Sequence, residues 1–209
     1  MGGNTRIIAE NVTVLSNGSI SSAAVIEAQD TAHIESGKPL SLETSNVASN
    51  IRLNNGNIKG GKQVILMADG DIQAKASNLN ASGNLYIHAG KDLDLNADKD
   101  LSTQSISLRA DNTALISSNG NTLTAEKNLD IQAGSLSVRQ SNLQSSGGNV
   151  QMSATKGDIS LNQSWINASQ NIDTAALQGN IISDGLTAVT EVGRVSLLAN
   201  GNVDFNGRN

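Results

Sequence analysis

A short phrase returns about every 21 residues, and it constrains this chain more than any other feature. It reads VILMADGDI from Val64, LYIHAGKDLDL from Leu85, LDIQAGSLSV from Leu129, VQMSATKGDISL from Val150 and VSLLANGNVDF from Val195. In each copy apolar residues alternate, a small residue follows, a polar corner comes next, and alternation resumes. Alternation of this kind means strand. A unit this small cannot bury its own apolar side and must stack on the next copy. The repeat therefore predicts an all-β fold, a parallel β-helix with about 21 residues and three short strands per coil.

The inward face follows from comparing copies. Leu85, Ile87 and Ala89 alternate with Tyr86, His88 and Gly90, and Leu129, Ile131 and Ala133 with Asp130, Gln132 and Gly134. The aliphatic set should face the core. Val150, Met152, Val195 and Leu197 join it. Gly70, Gly90, Gly157 and Gly201 mark the next corner, where a sharp turn calls for positive φ. Second strands are expected at Ile72 with Ala74, Leu93 with Leu95, Leu136 with Val138, Ile159 with Leu161 and Val203 with Phe205. Third strands should follow at Leu79 with Ala81, Leu143 with Ser145 and Ile166 with Ala168. Between Ser102 and Leu123 the second strand is weakly marked, and Thr113, Leu115 and Ser117 are expected to occupy it. Asn84, Asn128, Asn149 and Asn171 each precede a first strand. Asn57, Asn78, Asn119, Asn142 and Asn167 are placed for their amides to stack as a ladder along the axis.

Spacing sets the boundaries. Ala68, Ala89 and Ala110 are 21 apart, and later copies add one or two residues. These extras belong at corners, because a one-residue slip within a strand would turn the core face outward. One continuous domain over 1–209 is expected, with regular coils over 51–209 and less regular ones over 1–50. In the latter, Val12, Val14 and Ser16 read as a first strand followed by Ile20. Ala32, Ile34 and Ser36 read as another, with Leu40 and Leu42 as its second strand, and Ile51 with Leu53 as a variant coil. The whole predicts about 9 or 10 coils and a rod roughly 45 Å long.

Composition agrees. One Trp, one Tyr and one Phe leave a core built of aliphatic layers, and Pro39 is the only proline. A stack of paired strands uses nearly every backbone N–H, and proline removes one. With no cysteine, disulfides and thiolate sites are excluded. The net charge of −5 is spread along the chain without a basic run, so nucleic acid and anionic membranes are poor partners. The start, MGGNTRIIAENVTV, has no signal-peptide apolar region and reads as an internal cut. Neither end resembles a cap, so weak end-to-end association is expected.

Carboxylates are the first candidates for chemistry, because sugar-cleaving enzymes work with pairs of them. Asp92, Asp94, Asp98 and Asp100 are close in sequence, with Asp69 and Asp71 about one coil away. No aromatic platform or arginine cluster accompanies them, and a solvated acidic corner explains them as well. His33 and His88 are far apart in sequence. Trp165 is either a contact patch or a core filler. Glycosylation-type matches at Asn11, Asn17 and Asn162 arise readily by chance in an Asn- and Ser-rich chain. No catalytic, cofactor-binding or metal residue is assigned, and no cofactor is expected. A polysaccharide hydrolase or lyase using Asp71, Asp92 and Asp94 stands as the alternative to a non-catalytic reading.

The phrases GNLYIHAGKDLDLNA from Gly83, KNLDIQAGSLSV from Lys127, GGNVQMSATKGDISL from Gly147 and SQNIDTAALQGNI from Ser169 resemble filamentous-haemagglutinin repeats. These occur in large exoproteins of bacterial two-partner secretion, among them adhesins and contact-dependent growth inhibition effectors. The resemblance covers about Asn50 to Asn209 well and the first 50 residues loosely. It implies a right-handed parallel β-helix filament, secreted or held at the Gram-negative cell surface. It also implies export through an outer-membrane transporter that acts on a region outside this chain. The implied role is a non-catalytic segment that extends and presents adhesive, receptor-binding or toxin regions to a target-cell receptor or matrix. The NPNG-like motif expected of the secretion domain does not occur here.

Overall fold

A computed structural model describes residues 5–37, 49–75, 78–96, 101–118 and 122–206. Every regular element among them is a strand, and every strand pair is parallel. The strands form a three-faced β-solenoid. The first face has nine strands, from Val12–Ser16 to Val195–Ala199, and the second has nine, from Ile20–Ser22 to Val203–Phe205. The third is divided into a sheet of four, from Arg6–Ala9 to Asn78–Ala81, and a sheet of five, from Leu101–Thr103 to Thr187–Thr190.

Register gives the period directly. On the first face Val12, Ala32, Val64, Leu85, Ile106, Leu129, Val150, Ile172 and Val195 lie in one line. The steps are 20, 32, 21, 21, 23, 21, 22 and 23 residues, so these nine rungs span eight turns of about 22 residues. At about 4.8 Å per rung the stack is about 38 Å long. The nine rungs stand at the low end of the expected 9 or 10 coils, the stack is shorter than the roughly 45 Å expected, and the 32-residue step is the reason. Ile51–Asn54 is no separate coil: it is the second-face strand of the coil that starts at Thr31–Ser36. The extra residues of that step lie in the sequence between Ser36 and Ile51. Leu40 and Leu42, expected to form that strand, lie outside the described residues, as does Pro39.

The core is a single aliphatic cluster running along the axis. Leu85, Ile87, Leu129, Ile131, Val150 and Met152 are all buried, as their alternation requires. Val195 is not: it is 42% exposed, although it continues the inward line from Ile172. It sits on the last rung among the described residues, where no further described rung covers it. The weakly marked second strand does form at Thr113–Ser117, but in the opposite phase. Ala114 and Ile116 are buried and Leu115 points outward. Thr113 N–H donates to the Asp92 carboxylate at the preceding corner, which fixes that phase.

The corner glycines are needed for a different reason from the one expected. Gly90 and Gly201 do not have positive φ; among glycines it is Gly37 and Gly185 that do. A Cβ on Gly90 would stand 2.4 Å from the Asp69 carbonyl oxygen, and one on Gly201 would stand 2.3 Å from Asn180 Oδ1. Close approach of the rung below excludes a side chain there. Left-handed backbone occurs at another corner, directly after second-face strands, at Asn55, Gln140, Gln163 and Gly185.

Candidate functional site

The polar residues at the corners form three columns. Between the third and first faces, Asn149 N–H donates to Asn128 Oδ1 at 3.0 Å. Asn171 donates from both its backbone N–H and its Nδ2 to Asn149 Oδ1, each at 3.0 Å, and Arg194 N–H donates to Asn171 Oδ1 at 3.1 Å. Between the second and third faces, buried serines do the same work. Ser118 N–H donates to Ser141 Oγ at 3.1 Å, and Ser141 N–H to Ser164 Oγ at 3.4 Å. A short side chain at a bend can reach the N–H of a neighbouring rung just where the strand ladder is interrupted, and so satisfies it.

The third column lies just ahead of the second-face strands, and it takes in the acidic candidates. Asp71 N–H donates to Asn50 Oδ1 at 2.7 Å, and Asp92 N–H to Asp71 Oδ1 at 3.3 Å. Asp92 Oδ1 in turn accepts from Thr113 N–H at 3.0 Å and Asn112 Nδ2 at 2.8 Å. Higher up, Asn180 N–H donates to Asp158 Oδ1 and Asn202 N–H to Asn180 Oδ1. Asp71 and Asp92 are thus engaged in joining rungs. Asp94 points outward from the second face and pairs with Lys75 Nζ at 3.5 Å. Asp69 lines a surface depression with Glu35, His88 and Asp111. Asp98 and Asp100 lie outside the described residues.

The ladder expected through Asn57, Asn78, Asn142 and Asn167 does not form a continuous column. Asn57 and Asn78 do pair, but Asn142 stands opposite Thr122 and Trp165, and Asn167 opposite Gln144 and Val189. Asn119 lies outside the described residues. The histidines are separate. His33 Nε2 lies 3.2 Å from Glu35 Oε2 without hydrogen-bond geometry. His88 Nε2 lies 3.4 Å from Asp111 Oδ1, with the Tyr86 ring edge-on to the imidazole. No group of three or more His, Asp or Glu among the described residues is placed to hold a metal ion. Trp165 is 37% exposed on the third face.

One feature was not visible in the linear sequence. On the outer side of the first face, Ser107, Asp130, Gln151, Asp173 and Ser196 stand in one column. Arg109, Gln132, Ser153, Ala175 and Leu198 stand in the next. The second column shrinks at Ser153 and Ala175, and a shallow groove opens between the two along the rod axis. Asp173 pairs with Arg194 at 3.5 Å across one edge. Desolvation raises the Asp130 carboxyl above the usual carboxylate range although its tip reaches solvent, and the Arg109 guanidinium pulls it back down.

Residues 49–114 match the family model described as hemagglutinin repeat. This segment is similar to the hemagglutinin repeat. It starts at the corner before Ile51–Asn54 and ends in the second-face strand Thr113–Ser117. The same stacking of rungs continues past the matched segment without a break in register, through Leu129, Val150, Ile172 and Val195. No curated protein and no solved structure matches the chain.

Proposed function

We propose that this chain is a non-catalytic rod segment of a secreted bacterial surface filament, which sets reach and presents adhesive, receptor-binding or toxin regions. The observation that carries the reading is the use made of the polar corners. Asp71 and Asp92, two of the three carboxylates that a glycan-cleaving enzyme would draw on, are acceptors for backbone N–H groups of the next rung. A general acid or nucleophile must instead be free to meet its substrate. The hemagglutinin repeat supports the same reading, since that family is typically non-enzymatic and suggests a secreted or surface-exposed protein. Export through an outer-membrane partner and docking on a target-cell receptor or matrix belong to this proposal.

Two measurements test it. A variant lacking residues 129–171 loses two turns in register, and small-angle scattering should show a rod about 10 Å shorter with the same cross-section. A changed cross-section would end the rod reading. Reducing-sugar release from a panel of acidic and neutral glycans should be absent. Release that Asp92→Asn abolishes would establish the hydrolase instead, because asparagine keeps the corner acceptor and removes only the carboxylate.

A further inference from the structure

The polar side chains of this rod fall into two groups. Those at the corners are committed to neighbouring rungs. Those in the first-face groove are not: Ser107, Asp130, Gln132, Gln151, Ser153 and Ser196 make no side-chain hydrogen bond to the described residues. They are nonetheless held in register, one set per rung, because the parallel pairing beneath them is strict. Polar side chains therefore recur along the groove at the rung spacing of about 4.8 Å.

We propose that this groove binds a neutral linear oligosaccharide lying along the rod axis, with about one pyranose ring per rung. Three observations select that ligand. The first is period. An extended peptide advances about 3.3 Å per residue and turns alternate side chains away, so it drifts out of phase with rungs of about 4.8 Å. A chain of pyranose rings advances close to one rung per ring and offers hydroxyls on both edges.

The second is charge. Arg109 and Arg194 balance Asp130 and Asp173, so the groove has no net field to hold a polyanion or a polycation. The third is chemistry and shape. Amides and hydroxyls that both donate and accept match sugar hydroxyls. The small floor at Ser153 and Ala175 leaves room for a ring, and exposed Leu198 offers its apolar face a resting place. No aromatic ring lines the groove, which sets the expected affinity in the weak range. This inference goes beyond the rod reading and stands apart from it, since a rod sets reach whether or not its groove is filled.

The test is a nuclear magnetic resonance titration of the full isotope-labelled chain. The probes are cellohexaose, maltohexaose and N-acetylchitohexaose, with a heparin hexasaccharide and an uncharged decapeptide as the other arms. At least one neutral hexasaccharide should shift the side-chain amides of Gln132 and Gln151 while leaving those of Asn149 and Asn171 in place. Ser153→Trp, which fills the groove from an outward position, should weaken that binding tenfold or more. Gln151→Ala, which removes contacts without adding bulk, should weaken it several-fold. Gln144→Trp on the third face should leave it unchanged. The proposal is overturned if no neutral hexasaccharide shifts these amides at about 10 mM. It is overturned equally if only heparin or the peptide does so, or if Ser153→Trp and Gln151→Ala bind as the parent does. Failure in any of these ways leaves the scattering test of the rod intact.

Discussion

The coil at residues 129–145 and the coil at 187–205 carry the same alternation and end differently. Leu129 and Ile131 are essentially inaccessible, whereas Val195 is 42% and Phe205 63% exposed. Leu197, in line with Ile131, is only partly buried. The inward direction is the same in both. What differs is the number of neighbours: an interior rung is covered on both sides, and the last rung on one. In a solenoid, burial belongs to the stack and not to the coil that supplies the side chain.

The largest test of that contrast sets Ile131→Ala against Leu197→Ala. Ile131 is enclosed by rungs above and below, so truncation leaves a cavity and should cost about 2–5 kcal/mol in urea unfolding. Leu197 already meets solvent on one side, and the same change should cost under about 1.5 kcal/mol. Equal losses would show that the final rung is covered in solution. Gln132→Ala, one residue from Ile131 and pointing outward, should cost under about 0.5 kcal/mol and fixes the face assignment independently.

A second pair separates the corner columns from the outer face. Asn149 Oδ1 accepts from both the backbone N–H and the Nδ2 of Asn171. Asn149→Ala leaves a half-buried backbone donor without its partner and should cost about 1–3 kcal/mol. Hydrogen exchange should quicken at the Asn171 amide before it does at Met152, which lies within a strand. An unchanged Asn171 amide would mean that water replaces the side chain at no cost.

How much of this was legible in the sequence depends on how far apart the cooperating residues are. The inward face was readable at Leu85 and Ile87 because alternation is local. The period was readable from Ala68, Ala89 and Ala110 because one residue type marks one place. Recurrent Asn at 128, 149 and 171 is visible in the sequence too, but so is recurrent Asn at 57 and 142, and only the first set forms a bonded column. Which column bonds depends on where backbone N–H groups lose their strand partners, and that is a property of the bend. Val195 looked like Val150 because nothing in either strand states what lies above it. The groove was invisible for the same reason: Arg109, Gln132, Ser153 and Ala175 meet only once the rungs between them are stacked. The extra residues between Ser36 and Ile51 broke the local pattern, so their coil was read as two.

A third test uses an interior rung that breaks the aliphatic rule. Thr174 occupies the inward line between Met152 and Leu197, and its hydroxyl is buried without a hydrogen-bond partner. Burying an unpaired hydroxyl costs free energy that a methyl does not. Thr174→Val should therefore stabilise the chain by about 1 kcal/mol, seen as a higher urea midpoint at unchanged slope. A loss instead would place an ordered water at the hydroxyl.

The smallest expected effect lies in the groove and is read as a pH dependence. Desolvation raises the Asp130 carboxyl in the folded chain, with Arg109 opposing. The folded state therefore holds the Asp130 proton more tightly than the unfolded chain does. That contribution to stability is full below the unfolded value of about 3.9 and is lost as pH rises through the higher folded value. Asp130→Asn, which cannot titrate, should gain on the parent as pH rises from about 2.5 to 7 and then run parallel to it. Arg109→Gln removes the opposing attraction and should widen the same interval. If the parent instead gains on Asp130→Asn over this range, attraction to Arg109 outweighs desolvation. The groove would then carry an ion pair where the present reading has a carboxyl open to a sugar hydroxyl.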